Sequence, residues 1–206
     1  KAKKVKGFKF EKTSSKILFP PKHIRIKNKD YIVFQLSNGI LKIIDRRGKD
    51  RIKVKEKIDF SNNEVYLYRN SFTTTDKNGN LIQVDLKGNV FKTPLKLSND
   101  HKINMTTKTL VTLSENILTI KGVPVILPYA NYTSPQIFYF NDTLYISVTN
   151  IDSSKVYLFF SSGKLVNGFP VYGNSSVDIS NIDNDKNLEL VVKSEKDSFI
   201  LYEIPQ

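Results

Sequence analysis

Five oxygen-bearing side chains recur at alternate positions late in the chain: Asn181, Asp183, Asp185, Asn187 and Glu189. Oxygens at that spacing can converge on one hard cation, and Ca²⁺ accepts such a mixed set at a coordination number of about six to eight. The same residues also suit a metal-free turn, since Asx side chains bond their own backbone. Both readings stand at this point. A basic set, Arg51, Lys53, Lys55 and Lys57, alternates with Ile52 and Val54. Period two puts the four charges on one face of a strand. Such a stripe can grip a polyanion or protect an exposed sheet edge against strand addition; edge protection is expected. Lys1, Lys3, Lys4, Lys6 and Lys9 read the same way. Tyr129 and Tyr132, flanked by Pro128 and Pro135, are the aromatics expected on an exposed binding edge. Tyr66, Tyr68, Phe138, Tyr139, Phe140, Tyr157 and Phe159 fall inside apolar strand patterns and are expected to pack in the core.

No catalytic residues are assigned. The chain has no Cys, which excludes disulfides, thiolate metal sites and a Cys nucleophile. Its two histidines, His23 and His101, lie 78 residues apart, and nothing in the pattern joins them to a nucleophile. Glycoside hydrolysis needs two carboxylates flanking a cleft; Asp45, Asp85 and Glu115 are candidates, but they sit where ordinary turn acids sit.

These residues must be positioned by strands. Val, Ile, Tyr, Phe and Thr are frequent and Ala is nearly absent, a composition that suits pleated sheets. One pattern recurs: an apolar strand, a polar turn, a second apolar strand, then a glycine. Tyr31–Leu36 with Ile40–Gly48, Ser71–Thr75 with Leu81–Gly88, Thr109–Leu113 with Ile117–Gly122, and Leu144–Val148 with Val156–Gly163 are successive copies. A fifth pairs Leu188–Val192 with Ser198–Tyr202. A further strand is expected on either side of most copies, giving four strands per unit, the content of one propeller blade. A four-stranded blade cannot bury both faces alone, so its neighbours must stack on it.

The expected fold is therefore all-β: a β-propeller of about five four-stranded blades, or part of a larger propeller, in a single domain over residues 1–206. The blades are expected at 22–58, 64–97, 102–128, 136–173 and 176–204. The last is expected to be completed by an N-terminal strand at 3–10, because Lys3–Phe10 resembles Lys164–Val171.

The stretch Gly163-Lys-Leu-Val-Asn-Gly-Phe-Pro-Val-Tyr-Gly173, with Ser180-Asn-Ile-Asp-Asn-Asp-Lys-Asn-Leu-Glu-Leu-Val-Val192, resembles FG-GAP/VCBS-type and PQQ-like β-propeller repeats. The resemblance implies an extracellular, periplasmic or cell-envelope protein that binds proteins or glycans. It also implies a Ca²⁺-binding loop at Asn181–Glu189. Asn181 stands where the family's loop begins with Asp, and Lys186 where it has Gly. The cofactor expectation is thus none, or one structural Ca²⁺. The absence of Trp separates the chain from quinoprotein dehydrogenases, whose blades are tied by tryptophan-docking repeats.

The formal net charge of +12 favours acidic partners. Lys supplies most of it and Arg is scarce, so bidentate reading of bases is not supported and nucleic-acid binding is not expected. No apolar run approaches the ~18 residues of a membrane-spanning helix. The expected function is a non-enzymatic binding module that engages protein or glycan through propeller loops. The alternatives are a structural segment of a larger envelope assembly or a five-bladed glycoside hydrolase.

Overall fold

The computed structural model describes residues 2–205 except Lys4, Glu11 and Asn184. Among these no helix occurs; nineteen strands form five antiparallel sheets. The first sheet holds β1 (Lys22–Ile26), β2 (Lys29–Gln35), β3 (Leu41–Ile44) and β4 (Asp50–Ile52) in sequential order. The second holds β5 (Tyr66–Tyr68), β6 (Ser71–Thr75), β7 (Asn80–Val84) and β8 (Val90–Pro94). The third holds β9 (Lys102–Met105), β10 (Leu110–Ser114), β11 (Ile117–Ile120) and β12 (Val123–Ile126). The fourth holds β13 (Gln136–Phe140), β14 (Thr143–Asn150), β15 (Lys155–Phe160) and β16 (Val171–Tyr172). The fifth has three strands: β17 (Val177–Ser180), β18 (Leu188–Lys193) and β19 (Phe199–Ile204). The first two sheets lie in one compact unit, Lys1–Asn99, and the other three in a second, Asp100–Gln206.

Turn chemistry sets the registers. In Asp45–Lys49, Asp76–Asn80 and Asp85–Asn89 the first residue donates its backbone N–H to the carbonyl of the fifth, and its own carbonyl accepts the N–H of the glycine at position four. The Asp carboxylate also accepts the N–H groups two and four residues on. Gly48, Gly79 and Gly88 supply the positive φ that closes these turns. Leu36–Ile40 and Phe160–Lys164 repeat the backbone pattern without the acid.

Burial makes the sheets stack within each unit. In the first unit Tyr31, Val33 and Ile43 from the first sheet and Phe72, Ile82 and Val84 from the second share one buried cluster. In the second unit Val111, Leu118 and Ile120 pack with Ile146, Val148 and Phe159. Val156 and Leu158 pack with Val177, Leu190 and Val192. Central strands are buried on both faces, so buried polar groups must find partners. Gln35 Nε2 donates to Asn63 O (3.0 Å), and Gln136 clamps the backbone of Val177 through both amide atoms (2.9 and 2.8 Å).

Three expectations about strands and one about the core are corrected. Residues 3–10 form no strand where described; Lys9 donates its N–H to Arg47 O, and the Phe10 ring meets Phe34 edge-on at 5.6 Å. Lys1 and Lys4 lie outside the described residues. The strand expected over Arg51–Ile58 ends at Ile52, where the chain leaves the sheet to cross to the second one. The fourth strand of the fourth sheet is reduced to Val171–Tyr172 and a bridge between Leu165 and Phe159. Tyr139, expected in the core, stands exposed in β13 and donates its hydroxyl to Asp142.

Candidate functional site

The connection from β4 to β5 builds a cleft in the first unit. Lys55 donates its N–H to Gly88 O (3.0 Å), then Ile58 donates to Gly39 O (2.8 Å) in the β2–β3 turn. Lys77 N–H reaches Asp59 O (3.0 Å) and Ser61 N–H reaches Thr75 O (3.1 Å), so residues 57–61 are strapped between two hairpins. The cleft so framed holds about 820 Å³. Buried Ile58 and Phe60 and half-buried Phe19 give it an apolar floor. Asn38, Asn62, Lys57 and the Lys77–Asp59 ion pair (2.8 Å) place hydrogen-bonding groups around the rim. An apolar surface with a few polar groups converging on it is the usual composition of a ligand site. Nothing in the sequence marked it: Lys57 reads there as the end of a stripe and Ser37–Gly39 as a turn.

The stripe alternates as far as Lys55 without a strand to carry it, and Glu56 then breaks the pattern by being exposed. Arg51, Lys53, Lys55 and Lys57 are exposed, while Ile52 and Ile58 between and beyond them are buried. Arg51 lies over the Tyr31 ring at 5.2 Å, and Lys55 Nζ donates to Asn89 Oδ1 at 2.7 Å. Beyond Arg51 these lysines line an inter-sheet crossing, so only Arg51 sits on a sheet edge.

The acidic loop lies in the second unit, between β17 and β18. Ligand atoms of Asp183, Asp185 and Glu189 come within 4.8 Å of one another. Asp183 and Asp185 are exposed and Glu189 is buried. Glu189 Oε2 accepts the Ile182 N–H (2.7 Å), and Asp185 Oδ1 accepts that of Asn187 (2.6 Å). Asn181 Nδ2 donates to Asp185 O (2.7 Å), while its Oδ1 is withdrawn from solvent with no hydrogen-bond partner among the described residues. Asn187 turns outward to Glu203 (2.8 Å). Three carboxylates and an unpaired amide oxygen fit Ca²⁺; Asn187 is better placed to brace the loop than to complete the ligand set.

The two tyrosines separate. Tyr129 is 83% exposed, whereas Tyr132 is 4% exposed, packs beside Tyr157 and donates its hydroxyl to Pro128 O at 2.8 Å. Burial pushes the Tyr132 hydroxyl up to about 12. Tyr132 is thus a core residue and corrects the expectation of an exposed pair; Tyr129 alone remains on the rim.

Asp45 and Asp85 are taken up by their own turns. Backbone N–H groups of Lys49 and Arg47 hold the Asp45 carboxyl below its usual range. Asp85 is also lowered: partial desolvation raises it, and the Asn89 and Lys87 hydrogen bonds outweigh that. Glu115 sits at a positive-φ turn (φ 55°). His23 meets Asp30 across the β1–β2 hairpin at 2.9 Å, an exposed pair, and the hydrogen bond from His23 chiefly lowers the Asp30 carboxyl. His101 is buried.

Five four-stranded or near-complete antiparallel sheets, stacked by their apolar faces within each unit, are the architecture of propeller blades. Solved structures agree. The N-terminal region of BBS1, solved in complex with ARL6DN, superposes with a TM-score of 0.58 at 10% identity, covering 93% of this chain and 68% of that one. The dihydro-heme d1 dehydrogenase NirN gives 0.52 at 12% identity, covering 85% and 44%. The computationally designed protein Ika8 gives 0.52 at 11% identity, covering 88% and 57%. The chain therefore spans little more than half of Ika8 and less than half of NirN. The fold is a β-propeller fold, with five sheets fitting about five blades. No protein-family model matches the sequence, and no curated protein matches it. Among the described residues no helix is long and apolar enough to cross a membrane.

Proposed function

We propose that this chain is a non-enzymatic binding module of an exported or cell-envelope protein, and that it engages a protein or glycan through propeller loops. The observation that carries this reading is the cleft strapped between the β2–β3 and β6–β7 turns: an apolar floor with Asn38, Asn62, Lys57 and Lys77 around it. The use of Asp45 and Asp85 as turn caps supports the non-enzymatic reading, since neither is available to a hydrolytic pair. The resemblance of residues 163–192 to FG-GAP/VCBS-type and PQQ-like repeats supports the cell-envelope location. That BBS1N was solved bound to ARL6DN supports a protein partner for a propeller of this kind. Glycan-array and pull-down screens with the whole chain test the reading. A ligand is expected whose binding weakens at least about tenfold in the Asn62→Ala, Lys57→Ala double variant, as loss of two hydrogen bonds implies. Silence in both screens, or binding indifferent to the double variant, would count against it.

A second element of the proposal is one structural Ca²⁺ in the loop 181–189, on the strength of the unpaired Asn181 Oδ1 beside three carboxylates. A ligand that binds only the folded state stabilises it by about 2.7 kcal/mol at a hundred times its Kd. Ca²⁺ should therefore raise the melting temperature of the wild-type chain, and Asp183→Asn should abolish the rise. Calorimetric titration without heat and a melting curve unmoved by Ca²⁺ would leave the loop as a metal-free turn.

A further inference from the structure

Arginine is scarce in this chain, and its distribution is uneven. All five arginines, Arg25, Arg46, Arg47, Arg51 and Arg69, belong to the first unit. The sheet topology gathers them further. In a sheet of sequential antiparallel strands alternate turns share one end, so the β1–β2 and β3–β4 turns lie together, as do the β5–β6 and β7–β8 turns. Arg46 and Arg47 stand in the β3–β4 turn and Arg69 in the β5–β6 turn. Arg25 and Arg51 lie within two residues of the strand ends beside the β1–β2 and β3–β4 turns. All five are exposed. Lys27 and Lys29 at the β1–β2 turn, Lys49 in the β3–β4 turn and Lys87 in the β7–β8 turn are exposed as well. At the other end, the β2–β3 turn carries no charge, and the β6–β7 turn has Lys77 beside Asp76.

The acids beside the basic turns are engaged. Asp45 and Asp85 accept the N–H groups of their own turns. Asp50 pairs with Lys42 at 2.6 Å and Asp30 with His23 at 2.9 Å. Arg51 and Arg69 lie over the Tyr31 and Tyr68 rings, at 5.2 and 5.0 Å. Both rings are buried, so each guanidinium rests on a fixed surface and loses less freedom when it binds an anion.

Between the β1–β2 and β7–β8 turns this end opens into a cavity of about 390 Å³. Ile26, Ile52 and Leu86 give it an apolar wall, and Lys27, Asn28 and Arg51 supply donors. A sugar ring bearing sulfate or carboxylate offers the matching groups: an apolar C–H face, hydroxyls, and an anion that a guanidinium holds through two hydrogen bonds. Single-stranded nucleic acid needs open rings on which its bases can stack, and Tyr31 and Tyr68 are covered.

We propose that this end of the first unit binds an acidic polysaccharide. One anionic sugar seats in the cavity beside Lys27 and Arg51, and further anionic groups are held by Arg46, Arg47 and Lys87. The site goes beyond the reading above: it lies at the other end of the sheets from the cleft and does not depend on it.

Calorimetric titration of the whole chain tests this, with a heparin-derived hexasaccharide, polygalacturonate, single-stranded DNA and phosphatidylserine vesicles as probes. At least one polysaccharide should bind, with an affinity that falls as salt is added. A lost charge-assisted contact costs about tenfold or more, so K27E/R51E should weaken binding at least about a hundredfold. R46E/R47E, on the neighbouring turn, should weaken it at least about tenfold and reads the same site should K27E/R51E fail to fold by circular dichroism. K108E/K164E makes an equal charge change on exposed lysines of the second unit and should leave binding within about threefold. Equal losses in K27E/R51E and K108E/K164E would overturn the proposal. So would silence with both polysaccharides at low salt, or tighter binding to the DNA or the vesicles.

Discussion

Phe72→Ala should destabilise the first unit more than any other single truncation considered for it. The Phe72 side chain is fully buried in β6, and its ring meets Tyr31 of the neighbouring sheet edge-on at 5.3 Å. It thus joins the two sheets at the point where each depends on the other for cover. Removing a buried Phe side chain costs about 3–5 kcal/mol in transfer and cavity terms. The urea midpoint of the first unit should fall accordingly, and amide exchange should accelerate across β2, β3, β6 and β7 together. Phe91→Ala in β8, where the ring is 53% exposed, should cost far less. Equal losses at the two positions would mean that the sheets are not held by face-to-face packing.

The second large effect separates backbone strain from steric clash. A Cβ on Gly88 would come 2.1 Å from Lys53 O, which is backbone and cannot swing aside. Gly88→Ala therefore adds a clash to the strain of a positive φ (81°). The strain is worth about 1–2 kcal/mol, and forced overpacking typically about 1–3 kcal/mol more. Gly122, with φ 87°, has nothing within 4 Å of its Cβ position. Gly122→Ala should show only the first cost. Denaturant unfolding of the two variants measures the difference directly. If they lose the same stability, the crossing at Lys53–Ile58 is not packed on the β7–β8 turn, and the cleft it frames would lose its support.

Much of the fold was legible residue by residue. Ser71–Thr75 is a strand from its first residue to its last, as its β-branched and aromatic content implied. Gly48, Gly88, Gly122 and Gly163 all have positive φ at hairpin turns, because the requirement for a residue without Cβ is imposed by the turn itself. The alternation at Arg51–Ile58 separates exposed from buried side chains except at Glu56, which is exposed between Lys55 and Lys57. It could not reveal that hydrogen bonding to β3 stops at Ile52, since an extended crossing shows the same period as a strand.

The acidic loop was visible because its oxygens lie close in sequence. The division of labour within it was not: Asn187 faces Glu203, sixteen residues on, and that partner is set by the pairing of β18 with β19. Tyr129 and Tyr132 carry the same local signals, Pro neighbours and a loop setting. What separates them is a pocket among Leu113, Tyr157 and Phe159 that only one of them reaches.

From the sequence alone come the strand period, the glycine turns and the need for sheets to stack. These follow from backbone geometry and side-chain alternation, which act over a few residues. The cleft and the core placement of Tyr132 were decided by tertiary structure. Each depends on which apolar surfaces from distant segments meet, and short-range patterning says that a surface must be covered without saying what covers it.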